Sequence, residues 1–128
     1  MLKLVQSAFG PAVLKKLVAS ACAQELNSGV TTLRGLGDFR FSDLAVRDAI
    51  KKGKGKAAGL NLLVSGPALT APGGHGDGTF AVTASTPAEF AALAEQNVRN
   101  GVDLVKICIT GGVTDAKKKG EPGEVKMT

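Results

Sequence analysis

Lys106 is the residue whose setting most invites chemistry. It sits in Asp103-Leu104-Val105-Lys106-Ile107-Cys108-Ile109, a run of strand-forming residues with apolar neighbours on both sides. Side chains alternate across a strand, so Leu104, Lys106, Cys108 and Thr110 share one face. Val105, Ile107 and Ile109 share the other, which suits packing under helices. A buried ammonium without a partner is costly and tends to lose its proton. The neutral amine is a nucleophile. It can also take up carbon dioxide to give a carbamate, an anionic oxygen ligand able to bridge two metal ions. The plainer alternative is a lysine that reaches solvent or pairs with a carboxylate.

His75, the single histidine, lies in Pro72-Gly73-Gly74-His75-Gly76-Asp77-Gly78. Its glycines allow a tightly turned backbone. A histidine there can be a ligand, a general base or a hydrogen-bond donor to substrate, or simply a solvated loop residue. The loop lacks the G-x-G-x-x-G spacing of a nucleotide fingerprint. Arg34 precedes a Gly-rich loop with Asp38. It can bind a substrate carboxylate, or pair with Asp38, the safer expectation. Lys51, Lys52, Lys54 and Lys56 would suit a phosphate backbone. They lack interleaved aromatics and read as a solvated turn, so nucleic acid is not an expected partner.

These residues need elements to hold them. Pro11 opens a helical stretch in which Val13, Leu14, Leu17, Val18, Ala21 and Leu26 recur at helical spacing. Asn27-Ser28-Gly29 stops it, and Val30 to Arg34 reads as a strand. A helix capped by Ser42 or Asp43 runs to about Lys52. Leu60 to Ser65 is the next strand, and Gly66 to Ser85 a long loop. Thr86-Pro87-Ala88-Glu89 is a capping box with proline at the first helical position. That helix runs to Asn100-Gly101, and the Lys106 strand follows. The tail 113–128 is polar and without periodicity, and reads as a loop or disordered. Residues 27–34 and 99–106 echo each other: in both, a Gly-Val pair ends a helix and a basic residue follows the glycine by five positions.

Three parallel strands alternating with helices, with long loops after strands and short ones after helices, indicate an α/β fold built like a (β/α) barrel. A full barrel takes about 250 residues, and this chain has 128. The expectation is therefore a fragment of a (β/α)8 TIM-type barrel.

Composition narrows the function. The chain is 44% apolar, carries a net charge of +5 and has five Phe with no Tyr or Trp. One histidine excludes a three-histidine metal site built from this chain alone. Scarce aromatics argue against an RNA module of the base-stacking kind. Cys22 and Cys108 form neither a disulfide framework nor a zinc motif. They are expected as packed thiols in a reducing compartment, the cytoplasm. Leu17 to Ala23 is far too short to span a membrane. Lys15 and Lys16 break what would otherwise resemble a signal peptide.

The motifs taken together resemble one family. Gly29-Val30-Thr31-Thr32-Leu33-Arg34-Gly35-Leu36-Gly37-Asp38 resembles the GVTT-x-R-x-x-G-D segment of metal-dependent amidohydrolases, in the subgroup related to imidazolonepropionase and prolidase-like peptidases. Val46-Arg47-Asp48-Ala49-Ile50 is similar to its L-R-D-x-I helix. Leu63-Val64-Ser65-Gly66 followed by Gly73-Gly74-His75-Gly76 is similar to its third strand and T-G-G-H-G loop. Gly101 to Ile107 with Thr110-Gly111-Gly112-Val113 is similar to its fourth strand. The four segments keep the family's order over residues 27–128.

The resemblance implies hydrolysis of amide-type C–N bonds, in dipeptides or cyclic amides, by a water activated on one or two divalent metals, with zinc expected. It implies Lys106 as the carboxylated metal ligand, and His75 and Arg34 as residues near a small-molecule substrate. The family's His-x-His pair is absent, and so are its later histidines and catalytic aspartate. The chain thus reads as barrel strands two to four of a larger enzyme, with Thr128 placed to cap the next helix. No catalytic residue is assigned within it, and the isolated chain is expected to be inactive. The alternative is a non-catalytic remnant that self-associates or binds partners, as a homo-oligomer covering an open sheet.

Overall fold

The computed structural model of the chain describes residues 10–113 and 123–127. Residues 1–9, most of the expected tail (114–122) and the proposed capping residue Thr128 lie outside the described residues. The order is α1 (Gly10–Asn27), β1 (Thr32–Arg34), α2 (Ser42–Lys51), β2 (Asn61–Leu63), β3 (Ala68–Thr70), β4 (Ala81–Thr83), α3 (Pro87–Arg99) and β5 (Ile107–Cys108).

α1 and α3 stand where periodicity and caps put them, whereas α2 begins at Ser42 with Phe41, and not Ser42 or Asp43, in the N-cap position. On α1 the buried stripe is Val18, Ala19, Cys22, Ala23 and Leu26, an i, i+3, i+4 pattern. Leu17, expected on that stripe, is half exposed. At α3 the Thr86 hydroxyl accepts from the Glu89 N–H at 3.2 Å, and the Glu89 carboxylate accepts from the Thr86 and Ser85 N–H groups. Both halves of the capping box are thus formed.

The strands are parallel, as expected, but shorter. β1 pairs with β2, and β3 pairs with β4 on one side and β5 on the other, all in parallel. The stretch from Gly66 to Ser85 is not the plain loop expected: it contains β3 and β4. β2 and β3 are two lengths of one strand path, bent at Gly66 (φ +61°) and Pro67. Along this path Val64 C=O accepts from Asp103 N–H at 2.9 Å, and Lys106 C=O accepts from Leu69 N–H at 2.8 Å. β1, the β2–β3 path and β5 are therefore the three adjacent strands, with β4 added beside β3. At the bend the buried Asn97 of α3 donates to Pro67 C=O at 2.8 Å and to Ser65 C=O at 3.4 Å, serving carbonyls that the interrupted ladder leaves without a partner.

One face of β1 and β2 is covered by α1 and α2. Cys22, Ala23, Leu44, Val46, Ile50, Ala57, Leu60, Leu62 and Val64 form the main core. Both cysteines are buried and free, as packed thiols. Among the described residues no helix is long and apolar enough to cross a membrane.

The face expected to pack under helices at β5 is open. Ile107 is 45% exposed and Ile109 55%. Alternation is respected, since Cys108 between them is buried, but no described helix lies over the two isoleucines.

Candidate functional site

In parallel α/β sheets, functional groups gather at the carboxyl ends of the strands. Arg34 is the last residue of β1. His75 stands in the loop that leaves β3. Lys106 directly precedes the β5 ladder. In register, Thr70 lies beside Cys108 and Leu69 beside Ile107, so one step back Lys106 lies beside Ala68. Thr70, Cys108 and Lys106 thus share a face of adjacent strands. The topology brings Lys106 and the His75 loop onto neighbouring strands, and Arg34 onto the strand beyond.

The His75 loop is folded down onto that face. Thr70 is fully buried, and its hydroxyl has no hydrogen-bond partner. Gly74 sits so close above it that a Cβ would overlap the hydroxyl oxygen. The absence of a side chain at Gly74 is therefore a packing requirement. The next residue, His75, meets Phe80 edge to face at 5.1 Å between ring centroids. Gly76 leaves room for the same ring, since a Cβ there would lie 2.7 Å from it.

Lys106 is half-buried. Arg34 is exposed, and it does not pair with Asp38. The Asp38 carboxylate instead accepts from the Ser42 hydroxyl at 2.8 and 3.0 Å and from the Asp43 N–H at 3.1 Å. It serves as the cap of α2, because a buried carboxylate is better matched by helix-start donors than by a flexible arginine in water.

Two polar clusters behind the site were not foreseen. Asp43 accepts from Leu44 N–H at 2.8 Å and from Gly66 N–H at 2.9 Å, pinning α2 to the strand bend. Burial and then the charge of Asp38 push its carboxyl up to about 6. Arg47 is buried and donates to Gly101 C=O at 2.8 Å, to Asp103 at 2.9 Å and to Asp48 at 3.0 and 3.1 Å. Asp103 also accepts from Val64 N–H at 3.0 Å. Against the cost of burial, these partners hold the Asp103 carboxyl below its usual range and the Arg47 guanidinium above its own. Nothing in the local spacing of Arg47 and Asp103, which are 56 residues apart, signals the pair.

The described residues do not fit a metal ion by themselves. No three His, Cys, Asp or Glu side chains among them converge on a point, and one lysine is not a metal site.

No protein-family model matches the chain, and no curated protein sequence matches it. Solved structures do. A Bifidobacterium longum protein assigned as a prolidase is 37% identical with a TM-score of 0.64, over 82% of this chain and 26% of that one. A Xaa-Pro dipeptidase with methionine bound in its active site is 30% identical with a TM-score of 0.68, over 91% and 31%. An amidohydrolase at 21% identity shares the fold, with a TM-score of 0.76 over 98% and 33%. The chain spans about a third or less of the length of each.

Proposed function

We infer that this chain, an α/β segment of a TIM-type barrel whose structural neighbours are amidohydrolase-family proteins, is the second-to-fourth-strand part of a hydrolase acting on amide-type C–N bonds. Dipeptides and related small amides are the substrate class. The likeness to a prolidase and a Xaa-Pro dipeptidase at 30% identity or more supports this reading. The observation that carries it is the placement of Lys106 and the His75 loop on adjacent parallel strands, with the loop and Arg34 at the carboxyl ends where such barrels keep their sites.

In this reading His75 and Arg34 contact substrate. Phe80 fixes the plane of the His75 ring, and Thr70 beneath Gly74 fixes the height of its loop. Lys106, carboxylated, is the chain's contribution to a divalent-metal centre, with zinc as the ion. The other ligands of that centre come from outside the described residues.

The test is made on the native protein isolated from its source. An intact mass well above 13.0 kDa, bound divalent metal and hydrolysis of a dipeptide panel are expected together. Lys106→Ala should then abolish both metal and turnover. A native product of 13.0 kDa without hydrolysis would overturn the reading.

A further inference from the structure

A cavity of about 290 Å³ lies between the loop leaving β1 and the entry to β4. Its walls are Phe39, Phe41, Pro67, Phe80, Ala81 and Val82, with Arg40 among them. The other two lining groups are already engaged. Asp38 caps α2, and the Thr79 hydroxyl donates to Gly76 C=O at 2.9 Å. The rest of the pocket is apolar and aromatic, with one cation, Arg40, and one engaged carboxylate, Asp38, in its lining.

That pocket is pre-formed. Phe41 rests where a Cβ on Gly66 would stand, 2.6 Å from the ring, and Phe80 fills the space beside Gly37 and Gly76 in the same way. Arg40 and Phe41 are the described non-glycine residues with positive φ, at 60° and 57°. A left-handed pair of this kind is strained and persists only where the surroundings over-determine it. It turns the Arg40 guanidinium over the Phe39 ring at 5.5 Å. Arg40 is exposed and has no carboxylate partner among the described residues. Phe80 is also the ring that meets His75, so the pocket adjoins the loop already assigned to substrate.

We propose that this pocket is a subsite for an apolar amino-acid residue bearing a free carboxylate, held by Arg40 at the mouth with its side chain between Phe39, Phe41 and Phe80. Resting on the hydrolase reading, this occupant is the carboxyl-terminal residue of the amide substrate. The volume suits one residue and not a longer peptide, being at the low end for ligand pockets. An arginine fork matches a carboxylate, and a site that pairs such a fork with apolar walls binds analogues lacking either part more weakly.

The test uses the full chain and N-acetyl-L-leucine, followed by NMR through the amide signals of residues 39–41 and 80–82. Saturable binding at those signals is expected. N-acetylglycine, which lacks the side chain, and N-acetyl-L-leucinamide, which lacks the carboxylate, should each bind at least tenfold more weakly. Arg40→Gln should weaken the leucine probe at least tenfold, while Lys54→Gln, a remote charge loss, should not. Arg40→Gly removes the cation but relaxes the left-handed backbone, so it keeps the fold and should lose binding equally. Equal affinity for the leucinamide, unchanged binding by either Arg40 variant, or shifts at other residues would overturn the proposal. The probes need neither Lys106 nor a metal. Their failure leaves the hydrolase reading standing, and the failure of that reading leaves the measured pocket in place.

Discussion

At Asp43 the fold sets a second carboxylate beside Asp38 where little water screens either. The folded state therefore holds the Asp43 proton more tightly than the unfolded chain does. That contribution is full below the ordinary value of 3.8 and is lost as pH rises through about 6. The loss amounts to roughly 3 kcal/mol at 1.36 kcal/mol per pH unit. Urea unfolding from pH 4 to 7.5 should show stability falling across that window, and Asp38→Asn should flatten the slope. A slope unchanged in Asp38→Asn would remove Asp38 as a cause. At Gly74 the close approach of Thr70 makes a second residue-scale prediction. Gly74→Ala should cost about 2 kcal/mol by overpacking and loosen the contact of His75 with Phe80. Adding Thr70→Ala should recover only part of that loss in chemical denaturation, because the new Cβ also lies 2.8 Å from the Ala71 carbonyl oxygen. The chemistry-bearing residues were legible one at a time, because a lysine in an apolar strand and a histidine among glycines are local signals. Their supports were not. Asp38 had an arginine four residues away as a ready partner, and only the folded turn shows that the Ser42 hydroxyl and the Asp43 amide of α2 claim it.

Elements were legible in proportion to how local their determinants are. The Thr86–Glu89 box closes within four residues, so α3 could be read from the chain alone. Thr86→Ala should lower stability by about 1 kcal/mol in thermal unfolding. β3 is three residues between two prolines, too short for alternation to show. Its burial comes from β5, 38 positions further on. The bend at Gly66 likewise depends on distant groups, Asp43 from α2 and Asn97 from α3. Arg47 ties α2 to the turn before β5. Arg47→Leu takes the cation from Asp103, an exposed residue, and the donor from the Gly101 carbonyl, and should cost about 2 kcal/mol. Equilibrium denaturation checks the figure, and a loss under 1 kcal/mol would mean that water replaces the arginine.

For the whole molecule, the open flank at β5 sets behaviour in solution. Ile107 and Ile109 are 45% and 55% exposed, and exposed strand edges with apolar neighbours invite pairing. The 128-residue chain should associate as its concentration rises, and Ile109→Lys should hold it monomeric by light scattering. A wild-type monomer at high concentration would show that this flank is tolerated in water. The Arg47–Asp103 tie has a consequence in time as well as in energy. Asp103 meets Arg47 across 56 residues and Val64 across 39, so both loops must close before the carboxylate gains its partners. Such a contact belongs to the late stage of assembly. Arg47→Leu should then speed unfolding in proportion to its stability loss and leave the refolding rate nearly unchanged, so that this one carboxylate governs how long the folded chain lasts rather than how fast it forms.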